Sequence, residues 1–77
     1  MKKCQCCGCL TIEEEYDICP VCCWEDDNVQ SKDPCFAGGA NRVSLNEARE
    51  NYLRFGACEE RFTDRARPPL EDELQEE

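Results

Sequence analysis

Seventy-seven residues with nine cysteines, no histidine and a net charge of −9 allow one domain, too short to be held by buried apolar surface alone. Three Phe, two Tyr and one Trp against 35% charged residues leave the stabilising role to the cysteines. No apolar run approaches the length of a membrane span, and so acidic a surface is repelled by phosphate backbones unless it carries a strong cationic face.

In chain order, Met1-Lys2-Lys3 runs directly into Cys4 with no apolar stretch behind the lysines, which is not the layout of a secretory leader. The chain is therefore expected to stay in the cytoplasm, where thiols remain reduced and clustered cysteines bind metal rather than pair as disulfides. Cys4-Gln5-Cys6-Cys7-Gly8 contains a C-x-x-C-G unit, and Cys19-Pro20-Val21-Cys22 is a second C-x-x-C. That spacing lets both sulfurs of a pair reach one ion at about 2.3 Å in a tight turn. With no histidine the ligand set is all sulfur, which suits Zn²⁺ or iron. The expected centre is Zn²⁺ on Cys4, Cys7, Cys19 and Cys22. Cys6 in place of Cys7, and Cys23 in place of Cys22, are the alternative ligands. A redox dithiol at Cys19 and Cys22 would need a thioredoxin-like strand–helix setting that this chain is too short to supply.

Between the two units, Leu10-Thr11-Ile12 and Tyr16-Asp17-Ile18 alternate apolar and polar residues, which predicts a short β-hairpin turning through Glu13-Glu14-Glu15. Trp24 is expected to pack beside the metal, with Glu25-Asp26-Asp27 facing water. Residues 25–41 read as a loop. Ser44, with Glu47 three residues on, forms a capping-box signature, and Val43 can staple to Ala48. Leu45, Ala48, Tyr52 and Phe55 then recur on one helical face with Leu53 at its margin, and Gly56 stands where a left-handed C-terminal cap belongs. One helix over residues 44–55, laid over the cysteine core, follows. Cys9, Cys35 and Cys58 are isolated and read as small buried hydrophobes. Arg49, Arg54, Arg61, Arg65 and Arg67 alternate with Glu50, Glu59, Glu60 and Asp64, a pattern of ion pairs rather than a basic face. After Arg67-Pro68-Pro69 the chain reads as an acidic flexible tail. The expected architecture is thus a small metal-stapled α+β domain, a zinc-ribbon-like double knuckle over residues 1–67 with a tail at 68–77.

Cys4-x-Cys6-Cys7-Gly8, then Tyr16-x-Ile18-Cys19-Pro20-Val21-Cys22 with Trp24-Glu25-Asp26-Asp27, then Gly38-Gly39-Ala40-Asn41-Arg42-Val43-Ser44-Leu45-x-Glu47-Ala48-Arg49-x-Asn51-Tyr52 together resemble the bacterial CPCC family of small cysteine-rich proteins. The likeness runs from Cys4 to about Leu70. It implies a bacterial cytoplasmic origin and a metal site at Cys4, Cys7, Cys19 and Cys22, and it carries no activity with it. Gln5 stands where the family motif has Pro, Cys9 where an aromatic is usual, and Cys23 where Phe is common.

For function, the sequence offers no nucleophile–base pair and no phosphate-binding glycine loop, so no enzyme is expected. A protein-interaction or regulatory module follows best, with a basic protein partner steered toward the acidic surface. A nucleic-acid-binding zinc ribbon is the alternative, disfavoured by the lack of a cationic stripe.

Overall fold

The computed structural model describes residues 1–74. Strand β1 (Lys2–Lys3) pairs antiparallel with β2 (Leu10–Ile12) in a two-stranded sheet. Two helices follow, α1 (Asn28–Lys32) and α2 (Leu45–Phe55), and 3-10 turns close the chain at Glu60–Phe62 and Glu71–Glu73.

The expected hairpin between 10–12 and 16–18 does not form. Each C-x-x-C unit is instead its own hairpin turn. In the first, Cys4 N–H donates to Cys9 O at 2.8 Å and Gly8 N–H to Cys4 O at 2.8 Å. In the second, Cys19 N–H donates to Trp24 O at 2.9 Å and Cys23 N–H to Cys19 O at 2.8 Å. The flanking residues pair in the same register, Lys3 with Leu10 and Ile18 with Glu25. The two knuckles therefore repeat one backbone pattern, which forces a left-handed residue after the second cysteine: Gly8 has φ +81° and Cys23 φ +71°. Glycine adopts that conformation freely, whereas at Cys23 it costs about 1–2 kcal/mol. The segment after β2 is consumed by a tight turn in which the Asp17 carboxylate accepts from Glu13 N–H and Glu14 N–H, each at 3.0 Å. Those two amides hold the Asp17 carboxyl below the usual range, Glu14 foremost.

Residues 25–41 are not a plain loop. Asp27 caps α1, its Oδ1 accepting from Val29 N–H at 2.8 Å, while its Oδ2 accepts from Ala40 N–H at 2.9 Å. Gln30, on α1, is fully buried and ties the chain at Phe36, Asn41 and Val43 to the helix. Asn41 Oδ1 and Nδ2 bond both backbone groups of Glu25, at 2.9 and 2.8 Å. At Gly39 a Cβ would stand 2.7 Å from Asp27 Oδ2 and 3.0 Å from Gln30 Cδ, so only glycine lets the loop close on this network.

The Ala40 amide, then those of Val29 and Gln30, depress the Asp27 carboxyl despite its burial. A depressed folded value means that the stabilisation is complete above the unfolded value of about 3.9 and is lost as pH falls through the folded one. Asp27→Asn should accordingly cost about 1–2 kcal/mol. The deficit should stay constant between about pH 5.5 and 8, where the carboxyl is ionised in both states; urea unfolding of the metal-loaded protein checks both.

Helix α2 begins and ends as its sequence signals require. Ser44 Oγ accepts from Glu47 N–H at 3.1 Å, and Gly56, at φ +76°, donates to Tyr52 O at 2.9 Å. Of the capping box, the Ser44 half forms. Ser44→Ala should cost about 1 kcal/mol in a denaturant series. Leu45 and Ala48 are buried and Tyr52 half-buried against the cysteine core, with Val43 beside them; Leu53, 85% exposed, faces away. Trp24 is fully buried in that core. Beyond α2 the chain returns to the second knuckle through Cys58 N–H to Cys22 O at 2.8 Å and Arg67 N–H to Val21 O at 3.1 Å.

Within the segment read as a flexible tail, residues 71–73 form their 3-10 turn against β2. It is anchored by Arg67, whose Nη1 and Nη2 meet the two Glu73 oxygens at 2.8 and 2.7 Å. Residues 75–77 lie outside the described residues. Among the described residues, no helix is long and apolar enough to cross a membrane.

Candidate metal centre

The repeated knuckle explains how the cysteines converge. Each C-x-x-C turn folds its two sulfurs to one side, and the two turns face each other beneath α2. Cys4 Sγ lies 3.5 Å from Cys22 Sγ, and Cys7 Sγ 3.7 Å from Cys19 Sγ; all four sulfurs fall within 4.8 Å of one another. A regular tetrahedron with metal–sulfur bonds of about 2.3 Å has sulfur–sulfur edges of about 3.8 Å. The two closest pairs already stand near that edge length. Four cysteines in this arrangement can hold a metal ion, and the donor set is closed: all sulfur, with no oxygen or nitrogen.

Cys4, Cys19 and Cys22 are buried and Cys7 is half-buried, so the site is shielded on three sides and meets solvent near Cys7. Without a cation the cluster cannot carry four negative charges in so little space. Hydrogen bonds to the Cys19 sulfur, assisted by burial, hold the Cys4, Cys7 and Cys22 thiols far above the usual range. Cys19 is held far below it because it accepts from Cys22, Cys4 and Cys7.

The alternatives Cys6 and Cys23 stand outside the four-sulfur group. Cys6 sits inside the first turn and is buried. Cys23 occupies the left-handed position of the second turn and lines a cavity of 170 Å³ with Ile18, Phe62 and Arg65. Burial pushes the Cys23 thiol up. Cys9 and Cys58 are buried small hydrophobes, as expected, and burial, with Cys6 and Glu59 nearby, raises the Cys58 thiol to about 12. Cys35 departs from that expectation. It is exposed, on the chain between α1 and the glycine loop, with Asn46 Nδ2 of α2 3.6 Å from its sulfur. All nine cysteines are free.

Among the described residues, three of the six arginines meet acids, and of the expected pattern only the Arg61–Glu59 pair forms. Arg61 is bidentate to Glu59 at 3.1 Å to each oxygen, with Arg42 at 3.9 Å from the same carboxylate, and Arg67 is bound to Glu73. Arg49 instead donates to Gln5 O at 2.9 Å, pinning α2 to the first knuckle.

Two contributors were invisible in the sequence. Thr11, the polar member of an alternating triplet, is buried with its Oγ1 3.0 Å from Cys19 Sγ. Tyr52, read as part of a helix face, has its phenol raised to about 12, first by burial and then by the neighbouring cysteine sulfurs. Nothing in local pattern distinguishes a threonine that faces water from one that faces sulfur.

A comparison with curated proteins returns no match. The sequence profile described as "Cysteine-rich CPCC" matches residues 2–73, spanning both knuckles, the buried Gln30–Asn41 network, α2 and the Arg67–Glu73 turn. The chain belongs to the cysteine-rich CPCC family.

Proposed function

We propose that this protein is a cytoplasmic interaction module whose fold is stapled by one Zn²⁺ ligated by Cys4, Cys7, Cys19 and Cys22. The observation that carries the zinc reading is the four-sulfur group within 4.8 Å, built by two knuckles of identical hydrogen-bond pattern. Four thiolates leave no open coordination position, so the ion's role is structural rather than catalytic. Its binding free energy, on the order of 10–16 kcal/mol in small zinc peptides, becomes folding free energy.

The interaction role is supported by the surface. Ile18 and Val29 are 63% and 58% exposed on a chain of net charge −9, which offers apolar contact within a field that steers basic partners. Nucleic acid is the poorer reading, because the chain carries a net charge of −9 and Arg42, Arg61 and Arg67 are each paired with a carboxylate, which weakens its hold on phosphate.

Elemental analysis of protein purified under reducing conditions tests the metal. One zinc per chain, with Cys4, Cys7, Cys19 and Cys22 protected from a thiol reagent until a chelator is added, supports the reading. Iron in its place, or nine reactive thiols, overturns it. For the interaction, the zinc-loaded chain should capture a basic protein that moderate salt releases. Failure to retain any protein above a chelated control counts against the module.

A further inference from the structure

We infer that Thr11 is the positioning residue of the metal centre: its hydroxyl donates to the Cys19 sulfur and locks that ligand in the tetrahedron. This rests on the reading of Cys4, Cys7, Cys19 and Cys22 as a metal site and goes beyond it by assigning the group that holds one ligand in place.

Thr11 is the middle residue of β2 and is buried, with 8% of its surface exposed. A buried hydroxyl costs free energy unless it is hydrogen-bonded. Valine has the same branched shape, comparable strand preference and no such cost. Packing and propensity therefore favour valine at position 11, and the hydroxyl needs another reason to be there. Its surroundings give one. Oγ1 lies 3.0 Å from Cys19 Sγ and 3.5 Å from Cys9 O. A hydroxyl has one proton to give. Once Cys19 is a metal-bound thiolate it can only accept, so the shorter bond, to a charged acceptor, takes the proton.

The bond also joins the two halves of the centre. Thr11 follows the first knuckle by three residues, and Cys19 opens the second. The contact thus fixes the distance between a first-knuckle strand and a second-knuckle ligand without passing through the metal. Outer hydrogen bonds of this kind orient a ligand and draw off part of its negative charge, and their loss typically weakens metal binding 10–100-fold.

The test is a zinc competition titration against a chromophoric chelator with the full chain, the Thr11→Val and Thr11→Ser variants, and the same three proteins loaded with Co²⁺. Thr11→Val should bind zinc at least tenfold more weakly than wild type, and Thr11→Ser, which keeps the hydroxyl, should stay within about threefold. The sulfur-to-cobalt charge-transfer band should move in Thr11→Val and not in Thr11→Ser. A purely structural role predicts the reverse order, since valine suits a buried strand better than serine. Thr11→Val binding as tightly as wild type with an unmoved cobalt band overturns the proposal, as does Thr11→Ser failing equally. Wild-type protein that takes up neither ion overturns the metal site itself, and this inference with it.

Discussion

Cys22→Ala is expected to leave a chain that neither holds zinc at wild-type affinity nor melts cooperatively. Cys22 is fully buried, its sulfur is 3.5 Å from that of Cys4, and its carbonyl accepts from Cys58 N–H, so it links the four-sulfur group, the first knuckle and the chain beyond α2. The other sources of stability are thin. The large fully buried apolar side chains are Trp24, Ile12, Leu45 and Val21, and a core of that size supplies no more than about 3–5 kcal/mol net. Structural zinc supplies roughly 10–16 kcal/mol, so a variant that loses most of it falls below the folding threshold. Cys35→Ser is the control, because that thiol is exposed and apart from the cluster; it should melt within a degree or two of wild type. Amide spectra and thermal melts in the presence of zinc, with a strong chelator added to wild type, measure the effect. Wild type and Cys22→Ala that both keep dispersed amides after chelation would show that the apolar core suffices without metal.

Much of this site could be read in the sequence, because its determinants are local. C-x-x-C spacing constrains two sulfurs within one turn, and Ser44, Glu47 and Gly56 mark the bounds of α2 through caps that act over three or four residues. What could not be read depends on contacts between turns. Leu10–Ile12 had an alternating partner nearby in 16–18. The strand pairs with Lys2–Lys3 instead, since closing the first knuckle brings those residues alongside and leaves Asp17 to cap a turn. Ile18 likewise pairs across its own knuckle, with Glu25. The stretch 25–41 looked like solvent-facing loop because its residues are polar and its glycines adjacent. Polar composition, however, does not distinguish groups bonded to water from groups bonded to each other. Asn41 and Gln30 belong to the second kind, and the Gly38-Gly39-Ala40-Asn41 segment closes over them.

Gln30→Leu is the second substitution expected to cost heavily, by about 3–5 kcal/mol. The volume is nearly conserved, so little of the effect is cavity. The loss is in satisfaction of buried backbone. Gln30 Nε2 lies 3.0 Å from Phe36 O, 3.2 Å from Asn41 O and 3.0 Å from Val43 O, while Oε1 accepts from Asn41 N–H at 3.0 Å and Asn41 Nδ2 at 2.9 Å. Leucine leaves three carbonyls and two N–H groups short of a partner in a site that is 0% exposed at Gln30 and 7% at Asn41. Each such group costs about 1–3 kcal/mol if it stays dry; opening the loop to water lets some recover, which caps the total. That route gives the effect a location. With zinc bound, hydrogen exchange at the Asn41 and Glu25 amides should speed up by two or more orders of magnitude, an opening made cheaper by about 3 kcal/mol. Cys19, Cys23 and Gly8 amides, held within the knuckles, should exchange as in wild type. Uniform acceleration across both regions would mean that the loop and the metal centre unfold as one unit; unchanged protection at Asn41 would mean that the network contributes little to holding the loop shut.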